Sequence, residues 1–276
     1  MGNLAKDTEV TSTGADTYEA TISPEWAFWG PNGGYLAGIM LRAAGAYTGM
    51  PKPASIHCQF LRVPATEPVV LRIETLVRSR RAHSVWVRMY QRDRLVATAA
   101  VWGVVSRPSG PQTSWGCPPD VPPPAQLRRI DELLAEEGTP VMPIWQTCCE
   151  VRLARWGGPE REAGEPAVFG WLRLYEPFEY GVDPWLDGCR ALFAMDSVQF
   201  PAIGQGFAAR EMTFIAPSLD LYTSFHDQAG DDEWLLLRGE GVAAGDGLLS
   251  ARAATWSPAG RLLATSTQQM LVREFG

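Results

Sequence analysis

The sequence predicts an α+β protein made of two copies of one unit, a helix followed by an antiparallel sheet. Apolar residues recur with the helical period of about 3.6 in two stretches, 35–47 and 186–200, and each stretch is followed by segments of period two. Similar segments also recur at a nearly constant sequence offset, which is 225 − 60 = 165 for Phe60 and Phe225 and 262 − 95 = 167 for Leu95 and Leu262. This offset indicates an internal duplication, and we expect the two copies to pack as a pseudo-dimer.

Composition places the 276 residues among folded globular proteins, with 46% hydrophobic and 20% charged residues. The net charge is −7 and no basic stripe stands out, so we do not expect a nucleic-acid partner. No apolar run approaches the roughly 20 residues that span a bilayer, and the first ten residues lack the hydrophobic centre of a signal peptide. The five cysteines are scattered, which favours free thiols in a cytoplasmic protein without metal or cofactor.

The first unit is expected to begin with an edge strand at 17–22. Asn32 should cap a helix that starts at Gly33 and Gly34 and continues to about Tyr47. Four strands should follow, joined by short turns; they cover residues 56–61, 69–74, 85–90 and 95–105.

A proline-rich connector at 106–124 separates the two units, because prolines at this density exclude helix and central strand. A short helix should follow, with Leu127, Ile130 and Leu134 on one side. The second unit is expected to contain a strand at 168–175, a helix from 184 that Pro201 ends or kinks, and strands at 211–215, 218–226, 234–242, 248–256 and 262–273. The predicted boundaries are 1–108 for the first unit, 109–142 for the connector and 143–276 for the second unit.

One acid stands out on the helix of the second unit. Asp196 lies on a helix face that is otherwise apolar and should meet the core. Burying a charge is costly unless it is paired or hydrogen-bonded. Asp196 is therefore either a core residue satisfied by nearby donors or a functional acid with a raised pKa, and the helix alone leaves both open. The residues that share this face are Leu186, Cys189, Phe193 and Phe200.

Short motifs in both halves resemble the acyl-CoA thioesterase II (TesB-like) family. In the first half the similar segments are Gly-Gly-Tyr-Leu-Ala at 33–37, Ser-Ile-His-Cys-Gln-Phe-Leu-Arg at 55–62 and Leu-Val-Ala-Thr at 95–98. In the second half they are Ala-Pro-Ser-Leu-Asp at 216–220, Glu-Trp-Leu-Leu at 233–236, Gly-Arg-Leu-Leu-Ala-Thr at 260–265 and Gln268. The resemblance covers roughly residues 20–105 and 165–274, and the order and spacing of the motifs make it more specific than any one of them.

The resemblance implies a double hotdog fold, in which each of two long helices is wrapped by an antiparallel sheet. It also implies hydrolysis of fatty acyl-CoA to free acid and CoA, a part in lipid metabolism, and a homo-oligomer of double-hotdog chains. In the family an Asp, a Thr or Ser and a Gln hold the attacking water, and these roles fall on Asp196, Ser218 and Gln268. Gln269 leaves the register of the last strand open, because adjacent strand residues point to opposite faces.

Two glycines at the start of the first helix are candidates for substrate binding. The amides of Gly33 and Gly34 could bind the oxyanion of a thioester intermediate. Alternatively, their missing side chains could let the helix and the sheet approach each other. We interpret His57 and His226 as structural residues that occupy equivalent places in the two repeats.

Two other functions remain open from the sequence. A hotdog dehydratase or hydratase usually needs a His paired with an acid near the helix, and neither predicted helix contains a His. A non-catalytic protein that binds acyl-CoA or an acyl carrier would keep the fold without turnover. A serine hydrolase of the α/β class is disfavoured, since the sequence contains no Gly-x-Ser-x-Gly motif.

Overall fold

Two long helices pack against one continuous antiparallel sheet in the computed structural model, which describes residues 1–106, 110–155, 162–176 and 180–274. The helices are α1 (Leu4–Asp7), α2 (Gly33–Thr48), α3 (Ile130–Glu136), α4 (Ile144–Thr147) and α5 (Pro184–Gln205). The strands of the first half are β1 (Thr11–Ser12), β2 (Thr17–Thr21), β3 (Lys52–Phe60), β4 (Pro68–Arg78), β5 (Ala82–Gln91) and β6 (Arg94–Val104). Those of the second half are β7 (Cys149–Leu153), β8 (Ala167–Leu174), β9 (Phe214–Ile215), β10 (Asp220–Phe225), β11 (Leu235–Gly245), β12 (Leu248–Trp256), β13 (Leu262–Leu271) and β14 (Arg273–Glu274).

The order of the strands shows the duplication directly. The large sheet has 12 strands in the order β1-β2-β4-β5-β6-β3-β10-β13-β12-β11-β8-β7. From each end inward, corresponding strands of the two halves follow in the same order, and β3 pairs with β10 in the centre. Helices α2 and α5 take corresponding places in the two halves, so each half is a helix with its own antiparallel strands. This architecture confirms the α+β class and the double hotdog fold that the sequence predicts.

The pairing of β3 with β10 fixes which residues of the two halves correspond. His57 lies opposite Tyr222 in this pair. Their sequence offset, 222 − 57 = 165, equals the offset of the sequence repeat, so the pseudo-twofold axis passes between them. The interpretation of His57 and His226 as equivalent residues is therefore wrong. His226 corresponds to Leu61 (226 − 165), just beyond the end of β3.

Both long helices begin at a side-chain cap, which satisfies backbone N–H groups that the first turn leaves unpaired. The Oδ1 atom of Asn32 accepts a hydrogen bond from the amide of Tyr35 at 2.8 Å, as the sequence predicts. In α5, Oδ1 of Asp183 accepts from the amide of Trp185 at 2.9 Å. Helix α2 ends at Gly49, whose φ of 63° is the left-handed conformation that glycine adopts readily.

Pro201 lies inside α5 and does not end it, because the helix continues to Gln205. A proline removes one helical hydrogen bond, which costs stability. Packing of the last turn on β11 offsets this loss. Ile203 is buried, and its Cα lies 3.3 Å from the position that a Cβ on Gly241 would take, so the glycine lets the helix lie directly on the strand.

Further segments differ from the sequence prediction. Strand β10 begins at Asp220, and Ser218 precedes it in an isolated bridge with Met270. The strand expected at 211–215 is reduced to β9, while β7 and α4 were not predicted. Leu127 lies before α3 and packs with Trp171 instead of extending the apolar side of that helix. Residues 107–109 of the predicted connector lie outside the described residues.

The two long helices contact each other directly and run antiparallel. A Cβ built on Gly34 would lie 2.3 Å from the carbonyl oxygen of Leu192, and one on Gly45 would lie 2.6 Å from the ring of Trp185. Gly34 therefore permits an approach between two helices, whereas the sequence suggested an approach between helix and sheet. This contact brings the start of α2 against the middle of α5, where Asp196 lies.

Gly34→Ala should lower the free energy of unfolding by about 1–3 kcal/mol, because the new methyl group forces the helices apart. Urea denaturation of the purified variant measures this. Gly14→Ala is the matched control: its methyl group would come no closer than 3.5 Å to another atom, so its stability should stay within about 0.5 kcal/mol of wild type. Equal stability of the two variants would contradict the close helix contact.

Candidate active site

The carboxylate of Asp196 lies where the two halves of the chain meet. Helix α5 carries it to the start of α2, and three donors from distant parts of the chain surround it. Nδ2 of Asn32 donates to Oδ2 at 2.6 Å, and the amide of Gly34 donates to the same oxygen at 3.1 Å. Nε2 of Gln268 donates to Oδ1 at 2.6 Å. Both oxygens of the carboxylate therefore accept hydrogen bonds, and the group is only partly exposed.

The structure brings together the three residues that the family resemblance selects. Nε2 of Gln268 donates to Oγ of Ser218 at 2.6 Å as well as to Asp196. Gln268 is buried on β13. The side chain of Gln269 is exposed, and its backbone amide donates to the carboxylate of Asp220. The sequence left open which of the two glutamines faces the acid. In the structure Gln268 faces Asp196 and Gln269 faces outward.

Asn32 takes part in this site, and sequence reasoning assigned it only a capping role. Its side chain is buried and has two contacts: the oxygen caps α2 through Tyr35, and the nitrogen binds Asp196. The cap orients the amide so that its nitrogen points to α5. Asn32 and Asp196 are 164 residues apart, and no local pattern in the sequence connects them.

Burial raises the pKa of Asp196 above the usual range of aspartate, because leaving water disfavours the charged form. Hydrogen bonds from Gly34, Gln268, Gly33 and Asn32 oppose this effect by stabilising the carboxylate. The net effect is a raised pKa, so this carboxyl holds a proton more readily than an aspartate in water does.

A cavity of about 410 Å³ adjoins this carboxylate and is large enough for a small ligand or part of a larger one. Asp196, Ser218 and Gln268 form a polar patch on a wall that is otherwise mainly apolar. The aromatic residues of the lining are Phe28, Trp29, Phe60, Trp145 and Phe200. Such a cavity can hold an apolar chain with its reactive group against the polar patch.

The glycines proposed for substrate binding lie at this patch. Gly33 lines the cavity. The amide of Gly34 is directed to Asp196, so in this geometry it stabilises the carboxylate. Oxyanion binding by Gly33 and Gly34 stays a prediction.

The duplicated fold contains this combination of residues once. Asp196 follows the cap Asp183 at an offset of 196 − 183 = 13, and the same offset from the cap Asn32 leads to Gly45 (32 + 13) in α2. The sheet offsets pair Ser218 with Pro53 (218 − 165) and Gln268 with Val101 (268 − 167). Glycine, proline and valine have no polar side-chain atoms, so the first half lacks these three polar groups at the equivalent place.

Among the described residues, no group of three or more His, Cys, Asp or Glu side chains is placed to hold a metal ion. None of the helices in the described ranges is long and apolar enough to cross a membrane.

The fold and the site together define a double hotdog protein with one carboxylate site beside an apolar cavity. Two family models match the chain: the acyl-CoA thioesterase N-terminal domain over residues 22–104 and the acyl-CoA thioesterase C-terminal domain over residues 114–272. Since the second match alone covers more than half of the 276 residues, the chain belongs to the acyl-CoA thioesterase family.

Solved structures share the fold over the whole chain. A conserved protein of unknown function with hotdog fold from Alicyclobacillus acidocaldarius is 21% identical, covers 100% of both chains and has a TM-score of 0.82. The acyl-CoA thioesterase II TesB2 of Mycobacterium marinum is 19% identical over 99% of both chains, with a TM-score of 0.79. The tesB protein of Mycobacterium avium subsp. paratuberculosis is 18% identical over 98% of both chains, with a TM-score of 0.79. No curated protein matches the sequence.

Two substitutions separate the roles of Asn32. Asn32→Ser should keep the helix cap but lose the donor to Asp196, so the pKa of Asp196 should rise further because its carboxylate loses a stabilising hydrogen bond. Asn32→Ala should raise that pKa in the same direction and also lower the free energy of unfolding by about 1 kcal/mol through loss of the cap. Carboxyl carbon shifts followed by NMR across pH measure the pKa, and urea denaturation measures the stability. An unchanged pKa in both variants would refute the contact.

Proposed function

We propose that the protein is a thioesterase that hydrolyses fatty acyl-CoA to free fatty acid and CoA, with Asp196, Ser218 and Gln268 orienting the attacking water. The convergence of these three side chains, through contacts of 2.6 Å, on the wall of an apolar cavity carries the proposal. Family membership supports the same substrate class.

The hydrogen bonds support a separate role for each side chain. Gln268 donates to both Asp196 and Ser218, so the Ser218 hydroxyl accepts one hydrogen bond and keeps its own proton for a water oxygen. The Asp196 carboxylate can accept a proton from the same water. A water held between a hydroxyl donor and a carboxylate acceptor directs a lone pair at a thioester carbonyl in the cavity.

Asp196 alone can carry the proton through the reaction. Asp196 takes a proton as the water oxygen bonds to the carbonyl carbon, and the carbonyl oxygen carries the negative charge of the intermediate. Collapse of the intermediate breaks the carbon–sulfur bond, and Asp196 returns the proton to the departing thiolate. Because a thiol is far more acidic than an alcohol, its departure needs little further assistance. Serine supplies the hydroxyl at position 218.

The other two candidate functions have less support. A dehydratase needs a His beside its acid, and no His is among the described residues that line the cavity. A binding protein without turnover would have no use for a partly buried carboxylate with a raised pKa, a costly arrangement to maintain. A cytoplasmic location, a place in lipid metabolism and assembly into a homo-oligomer belong to the same proposal.

Asp196→Asn should lower kcat for acyl-CoA hydrolysis by about a hundredfold or more, because the amide cannot accept the proton from the water. Release of CoA thiol, followed with a thiol reagent, measures the rate, and urea denaturation shows whether the variant is folded. Asp93→Asn, the same change in an exposed turn, is the control and should retain wild-type rates. A folded Asp196→Asn variant with full activity would show that Asp196 does not accept the proton from the water.

Gln268→Ala should reduce kcat by about tenfold to a hundredfold, since Asp196 and Ser218 both lose the donor that positions them. Gln269→Ala is a stringent control, because the adjacent side chain is exposed on the other face of the same strand and only its backbone amide contacts Asp220. The same thiol-release assay compares the two. Similar losses in both variants would mean that the strand, and not the Gln268 amide, matters.

A further inference from the structure

Two arginines mark the outer end of the cavity that contains Asp196. Arg62 follows β3 and Arg273 begins β14; both line the cavity and both are exposed, which places them at its mouth. Exposed apolar side chains surround them, among them Trp29 at 57% and Val63 at 65% exposure. The mouth is therefore an apolar rim with two positive charges, and the polar patch of Asp196 lies further inside.

Neither guanidinium is neutralised within the part of the chain that the structure describes. Most arginines here form ion pairs, but no Asp or Glu oxygen lies within 4.0 Å of Arg62 or Arg273. One nitrogen of Arg62 donates to the carbonyl of Leu95 at 2.7 Å, which holds the side chain in place without removing its charge. Two unpaired cations beside a cavity in a chain of net charge −7 are placed to attract an anion.

The duplicated half provides an internal comparison for Arg62. The amide of Arg62 donates to the carbonyl of Val96 at 3.1 Å, and the amide of Asp227 donates to the carbonyl of Leu263 at 3.1 Å. The sequence offsets are 227 − 62 = 165 for the two donors and 263 − 96 = 167 for the two acceptors, which are the offsets of the repeat. Asp227 is therefore the counterpart of Arg62, with the opposite charge.

Arg273 has a neutral counterpart by the same rule. The β6–β13 offset of 167 pairs Arg273 with Ser106 (273 − 167). Ser106 and Asp227 line a smaller cavity of about 180 Å³, which occupies the equivalent place in the fold. At the places of the two arginines this smaller cavity has a serine and an aspartate, and the one cation in its described lining is Lys52 on β3. The duplicated architecture therefore does not by itself account for the two arginines, which occur only at the cavity that contains Asp196.

The chemistry of the substrate suggests what the arginines bind. A fatty acyl chain is apolar and gains nothing from a cation, so the anion must lie on the thiol side of the thioester. Guanidinium groups bind phosphate oxygens through paired, charge-assisted hydrogen bonds. A pantetheine arm joins the thioester sulfur to a phosphate at its far end, so an arm that leaves through the mouth carries that phosphate toward the two arginines and can contact the apolar rim.

We propose that Arg62 and Arg273 form a phosphate-binding mouth that selects phosphorylated pantetheine thioesters over thioesters without phosphate. The inference rests on the proposed thioesterase function for its substrate class. Each arginine binds and neither takes part in bond breaking, so the charge contributes to substrate affinity and its effect weakens as salt screens it.

The test compares one acyl group on two carriers, CoA and pantetheine, the acyl length being the one that the wild-type protein hydrolyses fastest. In the double variant Arg62→Gln/Arg273→Gln, the ratio of kcat/KM for acyl-CoA to that for acyl-pantetheine should fall by about tenfold, since charged hydrogen bonds to phosphate are lost. Arg78→Gln, an exposed arginine of β4 outside the cavity lining, is the matched control and should leave the ratio unchanged. An unchanged ratio in the double variant would overturn the inference.

Calorimetric titration with free CoA separates this inference from the proposed function, because it needs no turnover. Weaker binding of CoA to the double variant, in a wild-type protein that releases no thiol, would uphold the phosphate site and reject the thioesterase. Equal binding of CoA to wild type and double variant would reject the phosphate site whatever the activity. Titration with 4′-phosphopantetheine then identifies the source: equal weakening indicates the phosphate shared with acyl-carrier proteins, and weakening for CoA alone indicates its nucleotide phosphates.

Discussion

The burial of one carboxylate between two helices is the constraint on which the site depends. Asp196 belongs to α5, but two of its donors, Asn32 and the amide of Gly34, come from the start of α2 in the other half of the chain. These donors and Gln268 stabilise the ionised form against the burial, which raises the pKa of Asp196. Gly34, which lets α2 and α5 touch, is therefore as necessary to this hydrogen-bonded arrangement as the acid itself.

Duplication gave the molecule a symmetric frame, and the side chains at its two equivalent sites have diverged. Strand order, helix contacts and backbone hydrogen bonds follow the same pattern in both halves. At the position equivalent to Asp196 the first half has Gly45, and the ring of Trp185 lies against it. An apolar ring now fills the space that a second carboxylate would need. The first half therefore contributes the donors Asn32 and Gly34, and the second half contributes Asp196, Ser218 and Gln268.

The sequence predicted much of the fold because its information is local. The alternation of β3 to β6, the capped start of α2 and the acid on the apolar face of α5 depend on residues close together in the chain. Strand β7 was not predicted, although Cys149, Val151 and Leu153 alternate with Glu150 and Arg152, because the alternation covers only five residues. The burial of Glu150 could not be predicted locally either, because its second partner, Arg173, lies on the neighbouring strand β8.

The same limit applies to the site. Asp196 could be identified from its neighbours on the helix, but the contact from Asn32 could not, since the two residues are 164 positions apart. The cap to Tyr35 was sufficient reason for an asparagine at that position. The choice between Gln268 and Gln269 also needed the pairing of β13 with β12 and β10. The sequence shows which residue types could form the site. Which of these side chains contact each other depends on the packing of the folded chain.

The central pairing of β3 with β10 has a consequence for how such a chain could arise. Separate gene products for the two halves would each expose a strand edge there, and each would most simply cover it with a copy of itself. In a dimer of second halves, Asp183, the counterpart of Asn32, would stand beside the Asp196 carboxylate, so two acids would repel each other where an amide now donates. Fusion into one polypeptide ensures that each half pairs with the other half and not with a copy of itself. Asp196 therefore always meets Asn32, and each half can change in sequence without having to remain complementary to itself.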